Sequence, residues 1–170
     1  IDDADNISIA YANIVFTNGS SQLLFASCSD INCSSVKISL LEQNISVSGT
    51  AIAQTGPNFV IVYSRGSLRV ASCSDCHNGA IRKNEIPGGG TSPSIAIPTG
   101  GFPLIAYESG GEVRIAKCGD ISCDPSHANF RIYRIPGGGS QPDIAIGSDN
   151  LPVISYITSA GEVRIAKCVN

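Results

Sequence analysis

The sequence has no methionine and no tryptophan, only two histidines, and 15% charged residues over 170 positions. Each shortage excludes something. With net charge −3 and its eleven Lys and Arg scattered, the chain has no basic patch for a phosphate backbone, so nucleic acid is not an expected partner. Apolar runs stop at about five residues, far short of the roughly 20 needed for a helix to span a bilayer, so no membrane span is expected. No secretory signal is visible. A chain that opens on Ile1 without methionine reads as a processed mature protein or a segment of a longer one. Gly-x-Ser-x-Gly, His-Glu-x-x-His and the phosphate loop are all absent, and the chain is expected not to be an enzyme and to need no cofactor or metal.

What the sequence does have is itself, several times over. Residues 103–118 read PLIAYESGGEVRIAKC and residues 152–168 read PVISYITSAGEVRIAKC. Residues 59–73 (FVIVYSRGSLRVASC) and 13–28 (NIVFTNGSSQLLFASC) follow the same plan. The unit is an apolar strand, a glycine-containing turn, a second strand and a cysteine. The terminal cysteines Cys28, Cys73, Cys118 and Cys168 recur with a period of about 45–50 residues, the mark of one supersecondary unit copied and stacked. The four units are expected to make a single domain over 1–170, with repeats at 1–43, 44–90, 91–139 and 140–170.

Within the third unit, residues 94–97 form a first strand, 103–107 a second, 112–118 a third and 130–135 a fourth. Pro136-Gly137-Gly138-Gly139 then leads to the next unit, as Pro87-Gly88-Gly89-Gly90 does one copy earlier. The first two strands are apolar at nearly every position, as in Val60-Ile61-Val62-Tyr63, which predicts burial on both faces. No window has helical periodicity. The expected fold is therefore all-β and β-propeller-like, with four-stranded antiparallel blades. A β-solenoid competes, but its coils are shorter and lack hairpins inside the unit.

The pattern S-I-A-I…L-P-V-I-S-Y…V-R-I-A-K-C-G-D-x-x-C resembles the repeats of secreted bacterial β-propeller-like proteins. It fits residues 91–168 well, 45–90 moderately and 1–44 weakly. The resemblance implies the fold and an extracellular location, and it brings no catalytic motif.

The copies do not all finish. The predicted order is three strands, then the fourth strand and the next three, repeated three times. The last copy stops after its third strand, so one blade is incomplete and Cys168 has no repeat partner. An open edge recruits a strand. Residues 7–12 could close the last blade within the chain, a neighbouring molecule could complete it, or the chain could be part of a longer propeller.

The remaining six cysteines fall in close pairs, Cys28/Cys33, Cys73/Cys76 and Cys118/Cys123. Such pairs predict disulfides and an oxidising compartment, with Cys168 free for an intermolecular bond. Four Asn-x-Ser sequons, at Asn6, Asn18, Asn32 and Asn44, cluster at the start and agree with secretion. Cys73-Ser74-Asp75-Cys76-His77 also matches the attachment pattern of a c-type haem. However, Cys73 sits where Cys28 and Cys118 sit, so a shortened structural loop is the stronger reading. Asp30, Asp75 and Asp120 read as turn-closing residues. Arg69, Arg114 and Arg164 recur as structural cations. The expected function is a non-catalytic extracellular structural or adhesive protein that self-associates, as a glycosylated filament subunit built by strand complementation. The alternative is a lectin-type propeller that binds a glycan. A protein ligand outside the cell is a further expected partner class.

Overall fold

The computed structural model describes residues 7–15 and 20–168. Among them the chain is all-β, in four antiparallel sheets. The first sheet holds β1 (Ser8–Val15), β2 (Ser20–Cys28) and β3 (Val36–Ile45). The second holds β4 (Gly49–Thr55), β5 (Asn58–Ser64), β6 (Leu68–Cys73) and β7 (Arg82–Ile86). The third holds β8 (Thr91–Ala96), β9 (Leu104–Ser109), β10 (Glu112–Lys117) and β11 (Arg131–Arg134). The last holds β12 (Ser140–Ile146), β13 (Pro152–Ile157) and β14 (Val163–Lys167). Each sheet is a plain meander in chain order.

Local chemistry sets these elements. Strand β9 is apolar and followed by Gly110-Gly111, both with positive φ (63° and 74°). Ser109 pairs with Glu112 across this two-residue loop, the geometry whose twist suits a hairpin and which needs φ > 0 at both central positions. The first strands of the third and fourth sheets each carry a bulge. Ser92 and Gln141 take φ near 50°, each followed by a proline, and the register shifts there. A bulge tolerates Pro because the ladder needs no N–H at that point.

The sheets stack face to face in chain order, β4 on β8 and β8 on β12, with β1 against β4. Side chains alternate along a strand, so one strand feeds two cores. Ile61 and Tyr63 join Leu23 and Phe25 of the first sheet. Their neighbours Val60 and Val62 join Ile105 and Tyr107 of the third. Leu104 and Ala106 then join Ile154 and Tyr156 of the last. This is why the inner strands are apolar without alternation.

Two expectations need correction. Residues 7–12 do not complete the last sheet. Residues 8–15 pair along their whole length with β2, from Ser8↔Ser27 to Val15↔Ser20, because a hairpin partner a few residues away closes a much shorter loop than the far sheet would. Consequently β1 is the second strand of its unit and not the first. Two sheets, not one, have three strands among the described residues: the first lacks an innermost strand and the last lacks an outermost one.

The repeat provides an internal control on burial. Val113 and Ile115 of β10 are 0% and 7% exposed, whereas their counterparts Val163 and Ile165 of β14 are 74% and 73% exposed. Ile115→Ala should cost about 2–5 kcal/mol, the range for truncating a buried aliphatic side chain. Ile165→Ala should fall within about 0.5 kcal/mol of the parent, as surface changes do. Urea denaturation of the two variants, disulfides intact, checks the contrast, and equal losses would contradict the assigned stacking.

Candidate functional site

Three places bring polar or reactive side chains together: the loop after Cys73, a carboxylate under the second sheet, and a groove between the last two sheets.

The cysteines bond as Cys28–Cys33, Cys73–Cys76 and Cys118–Cys123. Each loop is closed by an aspartate that accepts backbone N–H bonds. Asp30 takes those of Asn32 (2.8 Å) and Ser34 (3.3 Å), Asp75 those of His77 (2.9 Å) and Asn78 (3.2 Å), and Asp120 that of Asp124 (3.1 Å). Hydrogen bonds from Ser34 hold the Asp30 carboxyl below its ordinary pKa, and the His77 backbone N–H does the same for Asp75. Three disulfides fit an extracellular or otherwise oxidising environment.

His77 leaves this loop for the first sheet. Its Nε2 lies 2.7 Å from Ser27 Oγ and its Nδ1 2.6 Å from Ser39 Oγ. The ring tilts against Phe25 at 5.1 Å between centroids. His77, Ser27 and Phe25 border a cavity of about 300 Å³ with Phe59 and Asp75. Burial and the nearby Lys37 charge push the imidazole pKa below 6.5, against the pull of Asp75. A neutral imidazole donates from one nitrogen and accepts at the other, so one serine accepts while the other donates. In the Cys-x-x-Cys-His run both thiols are joined in a disulfide and both ring nitrogens are engaged by serines. Chemically this is a serine–histidine pair oriented by a second hydroxyl. Asp75 does not take the orienting place, since it bonds backbone instead.

The second cluster centres on Glu42, a residue that the sequence pattern did not single out. Tyr63 Oη donates to Glu42 Oε2 at 2.6 Å and Arg65 Nη1 to Oε1 at 3.0 Å. Lys83 Nζ lies 3.3 Å and Arg69 Nη1 3.7 Å from the carboxylate. Burial raises the Glu42 pKa, but the Tyr63 bond and the Lys83 and Arg65 charges outweigh it and hold the carboxyl below its ordinary value. Burial and the Glu42 carboxylate push the Tyr63 phenol up. Glu42 gets there through a bulge in β3: Leu24 pairs with Leu40 but Leu23 with Glu42. The extra residue turns Glu42 toward the second sheet. In the unbulged β7, Glu85 faces Arg69 instead and Ile86 takes the inward place beside Tyr107. Tyr107 Oη is therefore buried with no hydrogen-bond partner.

The recurring arginines all find acids: Arg69 Glu85, Arg114 Glu112 and Arg164 Glu162. Asn32 and Asn44 lie exposed on the first sheet's loop and outer strand. Asn6 and Asn18 lie outside the described residues. Cys168 is a free thiol, half-buried, at the rim of a groove of about 740 Å³. Leu104, Ile115, Tyr133, Ile135 and Ile154 form its walls.

No protein-family model matches the sequence, and a search of curated proteins finds no match. Solved structures do share the fold. A crystal structure of a protein of unknown function from Dyadobacter fermentans aligns with TM-score 0.72 at 14% identity, over 95% of this chain and 49% of that one. An α-L-arabinofuranosidase from Fusarium graminearum, solved with an iminosugar inhibitor, aligns with TM-score 0.60 at 13% identity, over 98% of this chain and 55% of the enzyme. The chain thus spans about half the length of the structures it matches. The second likeness corrects the expectation that the chain is not an enzyme. Its architecture is one on which a glycosidase is built, and missing short motifs do not exclude catalysis on such a fold.

Two predictions follow from the repeat contrast and the histidine. Tyr63→Phe should cost about 1–3 kcal/mol by removing one donor from the half-buried Glu42 carboxylate, while Tyr107→Phe, which removes an unpaired buried hydroxyl, should be neutral or stabilising. Chemical denaturation of the two variants reads this directly, and a larger loss for Tyr107→Phe would reverse the assignment. His77 should titrate below 6.5 in the folded protein, followed by NMR of its ring protons. The unfolded chain then takes up its proton first. Stability from the neutral ring is complete above 6.5 and declines as pH falls from there toward the native pKa. In His77→Gln this segment of the stability–pH curve should flatten.

Proposed function

We propose that the chain is an arc of a secreted β-propeller that assembles with further copies of itself, as an extracellular structural or adhesive protein. One observation supports the reading: the last sheet carries on one face the apolar pair that the third sheet buries against its neighbour. Val163 and Ile165 there stand about three-quarters exposed. The opposite end is apolar too. Ile9, Ile38 and Leu40 are exposed on the outward side of the first sheet, with Leu24 opposite Leu40. Leu24 holds the place that arginine takes in the other units. Arg69 answers Glu42 of the preceding sheet, whereas Leu24 needs no such anion. The last sheet, without an outer strand among the described residues, offers none at that place. Apolar face thus meets apolar face when the last sheet of one copy docks on the first sheet of the next. This is a heterologous contact, which closes a ring or propagates a filament. The exposed Asn32 and Asn44 leave a glycosylated rim clear of the stacking faces.

Sedimentation of the intact chain should show concentration-dependent association. The Val163→Glu, Ile165→Glu double variant should weaken it at least a hundredfold, since each buried aliphatic side chain is worth about 1.5–3 kcal/mol. A monomer at all concentrations, or a double variant that associates like the parent, would refute the reading.

A further inference from the structure

The hydrogen bonds around His77 exceed what the fold asks of that place. Ser39 pairs with Phe25 and Asn84 with Val70, equivalent positions in the first and second sheets. Each side chain reaches the cysteine loop of the next sheet. Asn84 does so with an ordinary bond, donating from Nδ2 to the Ser122 carbonyl at 2.9 Å. Ser39 meets an imidazole instead. In the third sheet Asp124 follows Cys123 where His77 follows Cys76, and His127 turns back to accept the Asn129 N–H at Nδ1. Anchoring a loop to the preceding sheet therefore needs no histidine. The surroundings of His77 resemble a reaction site more closely. Ser27 faces Ser8 across the β1–β2 ladder and shares a face with Phe25 two residues away. Ser8, Ser27, Phe25, Phe59 and His77 line the cavity of about 300 Å³, the low end of the range for a small-molecule site. It opens at Ser74 and Asp75, which are exposed, and it lies between two described sheets. With hydrogen on Nδ1, that N–H donates to Ser39 Oγ and Nε2 accepts from Ser27. Ser27 is then a hydroxyl aligned on a base, and the base is oriented by a third group. Burial and the Lys37 charge keep the base form dominant at neutral pH.

We propose that Ser27 is a nucleophile toward small acyl esters, with His77 as its general base and Ser39 as the positioning residue that fixes the ring tautomer. This activity goes beyond the assembly reading and does not rest on it. Ser27 Oγ attacks the ester carbonyl carbon while its proton passes to His77 Nε2. The hydroxyls of Ser8 and Ser74 on the cavity wall donate to the oxyanion that develops. The intermediate collapses, the bond from the carbonyl carbon to the alcohol oxygen breaks, and the Nε2 proton goes to the departing alkoxide. Water then attacks the acyl-Ser27 carbonyl and gives a proton to Nε2. The carboxylic acid leaves, and Ser27 takes the proton back. The Asp75 charge favours the imidazolium that forms in each half-reaction.

The test treats the whole chain, disulfides intact, with p-nitrophenyl acetate at neutral pH and quenches it in acid. The expected result is a burst of p-nitrophenolate and an acetyl group mapped by mass spectrometry to Ser27, a readout that needs no variant. Turnover should rise with pH along the same titration that NMR follows at the His77 ring. His77→Gln should lose at least about a hundredfold in kcat. Ser39→Ala should lose about tenfold in kcat with KM unchanged, and Ser39→Asp, which gives the Nδ1–H a charged acceptor, should restore it. Acetyl groups on lysines with none on Ser27 would overturn the proposal. So would full turnover in a His77→Gln protein that folds like the parent, or a Ser39→Asp variant no faster than Ser39→Ala.

Discussion

Everything in this molecule depends on sheets that bury both faces. A three- or four-stranded meander of this size cannot bury enough apolar surface against itself. Each one is stabilised by its neighbours, the two middle sheets on both faces. The inner strands show the consequence: Val60 and Ile61 are adjacent in sequence, both fully buried, and belong to different cores. Stability is then nearly a sum over neighbouring pairs, and the two ends are where the sum is unfinished. The exposed Val163 and Ile165 are not a local defect. They are the repeat counterparts of Val113 and Ile115, on the last of the described sheets.

The three disulfides act on a different scale. Each closes a loop of only a few residues, so the chain entropy removed from the unfolded state is small compared with a long-range bridge. The Cys73–Cys76 and Cys118–Cys123 bridges each hold a compact plug over one end of a sheet–sheet interface. The sulfurs of Cys73, Cys76, Cys118 and Cys123 are counted among the buried core residues. The aspartate in each loop organises the backbone around that plug. The haem-like run is one such plug with a shorter loop. Its histidine turns to the first sheet because serines at 27 and 39 offer both ring nitrogens a partner there.

Much of this was legible in the residues alone. The period, the strand pairs, the glycine hairpins and the doubly buried inner strands all follow from alternation and turn chemistry. The third unit shows how closely, with strands expected at 103–107 and 112–118 and found at 104–109 and 112–117. The failures have a common physical cause. The role of residues 8–15 depended on a choice of partner strand, and a short apolar segment reads the same whether it completes a near sheet or a distant one. The Glu42 cluster depended on a one-residue bulge. Both Glu42 and Glu85 stand ten residues before the isoleucine of the next inner strand, Ile52 and Ile95. Only the shift at Leu41 turns one toward Tyr63 and leaves the other facing Arg69. A slip of one residue inverts a side chain's face, and no composition or period records it.

That bulge also bears on how the stack keeps its order. Four near-identical units with apolar faces could, on hydrophobic grounds alone, dock in more than one sequence. The first interface is distinguished by a carboxylate that must meet Tyr63, Arg65 and Lys83, and only the second sheet carries all three. Docked on the third sheet instead, Glu42 would meet Tyr107 and Arg114, with Ser109 in the place of Arg65. Docked on the last, it would meet Tyr156 and Arg164 beside Thr158. Each alternative leaves a half-buried carboxylate short of partners, a penalty that mismatched apolar contacts do not carry. The polar cluster therefore contributes less to holding the first two sheets together than to making other pairings of the first sheet worse. The same reasoning separates the two ends of the chain. With leucine at position 24 and no outer strand after β14 among the described residues, neither outward face carries such a key there.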